Sequence, residues 1–232
     1  SYSSFYFDER PLTEMFENEL NINVSIDNDS RAMTYGEYIK GCVNGEKNIL
    51  YVNVSWGLGL GIIVGGQLYY GKSGFSGEFG HIPAFGNEIL CHCGKKGCLE
   101  TEASGLALHR KFLEKLHSGH SSLLTQKNGY DPKAPVSLND IIEVALQEDM
   151  LAIELIEEIG NSLGKHIAGL INLFNPELVV IGGTLAYAGD YLMLPLRSAI
   201  RKYSLNLVSQ DSTIKVLSLI HISEPTRQAE IS

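Results

Sequence analysis

The chain has 232 residues, 44% of them hydrophobic, enough apolar surface for one large domain or one and a half ordinary ones. Its formal net charge of −9 argues against this segment gripping a nucleic-acid backbone by itself, because that task is done with Lys and Arg. No apolar run approaches the roughly 20 residues of a spanning helix, no signal peptide opens the chain, and Ser1 in place of an initiator suggests a start inside a longer protein.

In chain order, Pro11 leads LTEMFENEL, whose apolar spacing predicts an amphipathic helix, and NVSI (Asn23–Ile26) follows as an expected buried strand. Asp27, Asn28, Asp29 and Ser30 end that strand and supply caps for a helix around Arg31 to Lys40. ILYVNVS (Ile49–Ser55) and LGIIV (Leu60–Val64) are β-rich runs, and Gly65-Gly66 predicts a hairpin turn into QLYYG. Between them, NVSWGLGLG spaces Gly57, Gly59 and Gly61 at alternate positions, which suits a loop presenting backbone N–H groups to a phosphate. The only tryptophan, Trp56, stands at the mouth of that loop, where a small residue is expected. Seven glycines from Gly71 to Gly97, with no helical period, indicate a long functional or metal-held loop. Helices resume from Leu99. Ser137 to Gln147 opens with a cap, Leu151 to Phe174 has helical spacing, and Asn175-Pro176 stops it. LVVI (Leu178–Ile181) is a buried strand, Gly182-Gly183 turns into a helix near Asp190 to Lys202, and the whole order indicates an α/β domain.

Cys91, Cys93 and Cys98 with His81 form H-x9-C-x-C-x4-C. A Cys91–Cys93 bridge would be strained, whereas three thiolates and one imidazole suit a tetrahedral, closed and therefore structural Zn²⁺. Small buried thiols and one satisfied histidine are the alternative. Metal ligation implies a reducing compartment, so the cytoplasm is expected. His92 is a rival ligand, but an extended Cys-x-Cys points it away. Pinning His81 and Cys98 to one ion would bring Glu78 and Glu100 close together, and clustered acceptors on a rigid frame suit a polyhydroxylated ligand.

These motifs resemble the ROK family, which includes bacterial sugar kinases and sugar-responsive repressors. The matching text is IDND-x-x-A with GEY (Ile26–Tyr38), the glycine-rich hairpin, GEFGH (Gly77–His81), CHCGKKGCLE (Cys91–Glu100) and NPELVVIGG (Asn175–Gly183), from about Ser4 to Val216. The resemblance implies an actin-like, hexokinase-like ATPase fold of the ribonuclease H-like type. Residues 1–29 would be a remnant of the N-terminal lobe, and 30–216 the C-terminal lobe with a zinc loop at 77–100. It also implies that Asn28, Asp29, Glu78, His81 and Glu100 contact sugar hydroxyls. In a kinase, Asp29 would be the general base toward the γ-phosphoryl of ATP, with Mg²⁺.

Two departures from the family pattern stand out. Nothing matches the N-terminal D-x-G-x-T phosphate loop of the kinases. Where they carry G-T-G-x-G, this chain has Ser55 and Trp56 ahead of Gly57 and Gly59, which weakens any nucleotide role for these residues and for Gly182 and Gly183. The expected function is the sugar-sensing part of a ROK-type transcriptional regulator, with a sugar kinase as the alternative. The expected partners are a sugar, DNA through a helix-turn-helix outside this chain, no membrane, and further copies in a homodimer or homotetramer. The stretch Leu217 to Ser232, LSLIHISEPTRQAEIS, resembles the translated read-through of a sequencing-library transposase adapter and is expected to be non-native.

Overall fold

The computed structural model of the chain describes residues 11–126 and 135–217. Its spine is a pair of antiparallel strands, Ile49–Val54 (β1) and Leu58–Val64 (β2), joined by a three-residue turn and in register from Ile49 opposite Ile63 to Val54 opposite Leu58. Gly65 and Gly66 both take positive φ, 60° and 81°, the geometry of a tight hairpin turn into Gln67–Leu68 (β3). The helices Leu12–Leu20 (α1) and Asp29–Lys40 (α2) precede this unit. Gly105–His117 (α3), Leu123–Gln126 (α4), Leu138–Leu146 (α5) and Met150–Phe174 (α6) follow it. The strand Leu178–Gly182 (β4), the helices Asp190–Tyr203 (α7) and Asn206–Asp211 (α8), and Thr213–Val216 (β5) complete the described chain.

The sheet is mixed, in the order β3-β2-β1-β4-β5, with β4 parallel to both β1 and β5. Every residue of β1 and β4 is buried, as expected for central strands covered on both faces. On one face the main core joins Leu50, Val52, Val179 and Ile181 to the apolar stripes of α3, α5, α6 and α7. On the other, a smaller cluster of Ile49, Tyr51, Ile63, Leu178 and Val180 is flanked by Met33 and Tyr38 of α2.

Two expectations change. Asn23–Ile26 is not a strand: Val24 is half-buried, its neighbours are exposed, and no described strand lies beside it to pair with its backbone. The alternating glycines do not share one loop: Gly57 is in the β1–β2 turn, whereas Gly59 and Gly61 lie within β2, beneath α2. A Cβ on Gly59 would collide with Ser30 Oγ, and one on Gly61 with Thr34 Oγ1. These glycines let helix and strand approach closely, which places the α2 N-terminus beside the β1–β2 turn. Finally, β5 and Leu217 extend the sheet, with Leu217 N–H donating to Ile181 O at 2.9 Å and its side chain buried. Leu217 is the first residue of the stretch expected to be non-native, and residues 218–232 lie outside the described residues.

Candidate functional site

Four pieces of chain converge on one pocket of about 320 Å³. The first is the start of α2. Asn28 caps that helix, its Oδ1 accepting from Arg31 N–H at 3.2 Å, so its amide NH₂ remains as a donor. Asp29 is the first helical residue, where the helix dipole favours a carboxylate. Its Oδ1 accepts from Ser30 N–H at 2.6 Å while the side chain faces the pocket.

The second piece is the β1–β2 turn. Ser55 Oγ donates to Asn53 Oδ1 at 2.9 Å and accepts from Thr184 N–H at 3.1 Å, which holds the turn against the residues after β4. The carbonyls of Ser55 and Trp56 accept from Gly105 and Leu106 N–H at 2.8 and 2.9 Å, and Ser104 Oγ accepts from Ala107 N–H at 3.2 Å. The first N–H groups of α3 are therefore spent inside the protein. None of these three is left to cradle a phosphate.

The third and fourth pieces are the short 3-10 turns Phe79–His81 and Leu99–Thr101, which carry His81, preceded by Glu78, and Glu100. Glu100 is buried. One oxygen accepts from Leu58 N–H at 2.8 Å and the other lies 3.0 Å from His92 Nδ1. Glu78 is more open, 3.8 Å from His81 Nε2. Asn28, Asp29, Glu78, His81 and Glu100 thus share one pocket with Ser55, Trp56, Gly57 and Gly59. Gly182 and Gly183 do not line it. A Cβ on Gly183 would come within 2.5 Å of Asn53 Oδ1 and 2.7 Å of Ser55 Oγ, so this pair lies behind the wall.

The pocket is electronegative. Asp29, Glu78 and Glu100 face a single cation, Arg31, whose Nε pairs with Asp27 at 2.7 Å and whose Nη1 donates to Gly74 O at 2.7 Å. Partial burial pushes the Asp27 carboxyl up, but the hydrogen bonds from Arg31 and from Asn28 N–H hold it below its usual value.

Beside the pocket, His81, Cys91, Cys93 and Cys98 place ligand atoms within 4.8 Å of one another. His81 Nδ1 is 3.5 Å from Cys91 Sγ, and Cys93 Sγ is 3.6 Å from Cys98 Sγ. Tetrahedral Zn²⁺ bonds of about 2.3 Å to sulfur and 2.0 Å to nitrogen give edges of about 3.5–3.8 Å, so the donor set fits that ion. Burial pushes the Cys98 thiol up to about 12, a state that a dication bound to thiolates would reverse. The loop closes through Gly94 and Gly97, at φ 84° and 70°.

His92 does not point away, as an extended Cys91-x-Cys93 would require. Gly94 N–H donates to Cys91 O at 2.9 Å, making a turn that swings the His92 ring over the pocket, edge-on to His81 at 4.9 Å. His81, His92 and Glu100 consequently form a second close group of potential donors. Asn53 was also missed. It is buried in β1, with its Nδ2 donating to Ser30 Oγ at 3.3 Å, and an amide side chain in a strand otherwise aliphatic or aromatic was the available signal.

This mixed-sheet α/β lobe, with a carboxylate-lined pocket at the end of its central hairpin, is of the actin-like, hexokinase-like class. The ROK family profile matches residues 3–221, and the chain belongs to that family. It is 35% identical over 210 residues to a glucokinase of Halalkalibacterium halodurans, covering 90% of this chain and 63% of that protein. It is 37% identical over 192 residues to a putative xylose repressor of a Caldicellulosiruptor species, covering 83% and 47%. Among solved structures it resembles a ROK family glucokinase from Streptomyces griseus in complex with glucose and AMPPNP. The TM-score is 0.78 at 29% identity, over 94% of this chain and 72% of the other. The chain therefore spans about half to under two thirds of the length of these curated relatives. Among the described residues no helix is long and apolar enough to cross a membrane.

Proposed function

We propose that this chain is the sugar-binding effector portion of a ROK-family transcriptional regulator in the cytoplasm. The observation that carries this reading is the convergence of Asn28, Asp29, Glu78, His81 and Glu100 on one pocket whose remaining wall is the Ser55–Trp56 turn. Hydroxyl donors of a neutral sugar match its carboxylate acceptors, and the Asn28 amide and the ring N–H that His81 keeps when its other nitrogen faces a metal supply donors. The three carboxylates disfavour an anionic ligand. His81 has one ring nitrogen toward the cysteines and the other toward the pocket. A structural Zn²⁺ held by His81, Cys91, Cys93 and Cys98 would fix that ring.

The sensor is preferred to a kinase because the turn that would meet the phosphates presents an indole, and the α3 N–H groups beside it are already bonded. The kinase reading rests on Asp29, a carboxylate at the pocket that could take a proton from a sugar hydroxyl, and on the glucokinase relatives. DNA contact would belong to a segment outside this chain, and assembly to a homodimer or homotetramer.

Calorimetry with a panel of neutral hexoses, pentoses and amino sugars tests the pocket, followed by ATP turnover with the tightest sugar and Mg²⁺. Saturable sugar binding with ATP turnover at background is expected. Sugar-dependent ATP consumption replaces the sensor with the kinase, and no binding to any sugar removes both.

A further inference from the structure

Trp56 is 51% exposed, and it lines the pocket rather than the general surface. Scattered exposed apolar residues are ordinary, but this one is fixed from behind. Its ring lies against His109 at 5.3 Å, and His109 Nε2 is anchored on Val136 O at 2.9 Å. Its backbone carbonyl is bonded to Leu106 N–H, and its neighbour's to Gly105 N–H. The indole is thus pre-oriented, and His109 is its one ring contact among the described residues.

Positions along the segment give the pocket a direction. Ser30 of α2 sits against Gly59, Glu100 against Gly57, and Trp56 lies one residue further toward α3. Asn28, Asp29, Glu78, His81, His92 and Glu100 supply side-chain hydrogen-bonding groups to this pocket. The Trp56 part offers an apolar plane with a single N–H. The pocket, about 320 Å³, lies within the range of small-molecule sites. A pyranose ring has an apolar C–H face that packs on an aromatic plane and needs no further hydrogen bonds.

We infer that Trp56 is a stacking subsite for a second pyranose ring, so that the preferred ligand is a disaccharide whose terminal unit occupies the carboxylate-lined part. The inference rests on the sugar-binding reading above and names the ligand class for that site.

The test pairs monosaccharides with their disaccharides: glucose with cellobiose and maltose, xylose with xylobiose, and N-acetylglucosamine with chitobiose. Binding is followed by calorimetry and by emission of the chain's single tryptophan. At least one disaccharide should bind about tenfold more tightly than its monosaccharide and shift the emission. Trp56→Ala should erase that gain by weakening the disaccharide about tenfold more than its monosaccharide, and Trp56→Tyr should keep part of it. Monosaccharides binding as tightly as every disaccharide, or Trp56→Ala weakening both classes equally, overturns the subsite and leaves the sugar pocket standing. No binding by either class overturns both.

Discussion

Asn28 has two jobs that a single substitution can separate. Its Oδ1 caps α2 and its NH₂ faces the pocket. Asn28→Asp keeps the capping acceptor and removes the donor, so sugar affinity should fall while the thermal midpoint stays near wild type. Asn28→Ala should lose both, at about 1 kcal/mol of stability. Glu100→Gln should weaken sugar binding by roughly 1.5–3 kcal/mol, about ten- to a hundredfold. Calorimetry and thermal unfolding on the same samples check all three, and unchanged sugar affinity in Asn28→Asp and Glu100→Gln would place the ligand elsewhere. Glu78, His81 and Glu100 were legible because their distances from the cysteines are fixed along the chain. His92 was misread because its direction depends on a turn at Cys91–Gly94 that no local spacing reveals. Ser30 and Arg31 belong to the pocket only because β2 lacks side chains at Gly59 and Gly61, a fact about packing between elements.

At the scale of elements, α6 and α7 are held together by absence of side chains as much as by apolar ones. A Cβ on Gly160 would come within 2.6 Å of Leu192 O and 2.9 Å of Pro195 Cγ, and one on Gly164 would collide with Leu196 O and lie 2.8 Å from Ala199 Cβ. Backbone oxygens cannot rotate away. Gly164→Ala should therefore cost about 2 kcal/mol and lower the thermal midpoint by roughly 4–8 °C. Gly169 on the same helix faces open space, and Gly169→Ala should be neutral or slightly stabilising, since alanine is the better helix former. Equal effects at the two positions would refute the close-packed seam. Periodicity revealed α6 nearly to its ends, with Asn175 in the left-handed conformation at its stop. It gave no sign that glycines four apart mark the partner's path. It also misjudged one weak strand signal and left another unread. Asn23–Ile26 has strand composition and no neighbour to bond. Thr213–Val216 carries a lysine and only four residues, yet it is recruited as a parallel edge by the fully buried β4. Pairing decides such segments, and pairing is not written locally.

For the whole molecule, the 77–100 region is the part least explained by the apolar core. It has one buried aromatic, Phe79, and beyond its short 3-10 turn is tied down by loop hydrogen bonds such as Ala84 N–H to Gly97 O at 2.9 Å. Two of its thiols are buried, and burial holds both in the protonated form in the absence of a cation. Such a loop is expected to draw its order from a metal, whose binding free energy is then folding free energy. About one Zn²⁺ per chain should co-purify in elemental analysis without chelators. Cys91→Ser with Cys93→Ser should abolish it and lower the thermal midpoint by about 10 °C or more. Protons compete with the metal for the sulfur atoms, so zinc should be retained at neutral pH and released as the pH falls and the thiolates protonate. Because Glu78 and Glu100 flank the ligands, sugar affinity should disappear with the metal and return when Zn²⁺ is restored at neutral pH. Metal content near zero, or an unfolding curve and sugar affinity indifferent to its removal, would leave the cysteines as buried thiols and the pocket supported by the sheet alone.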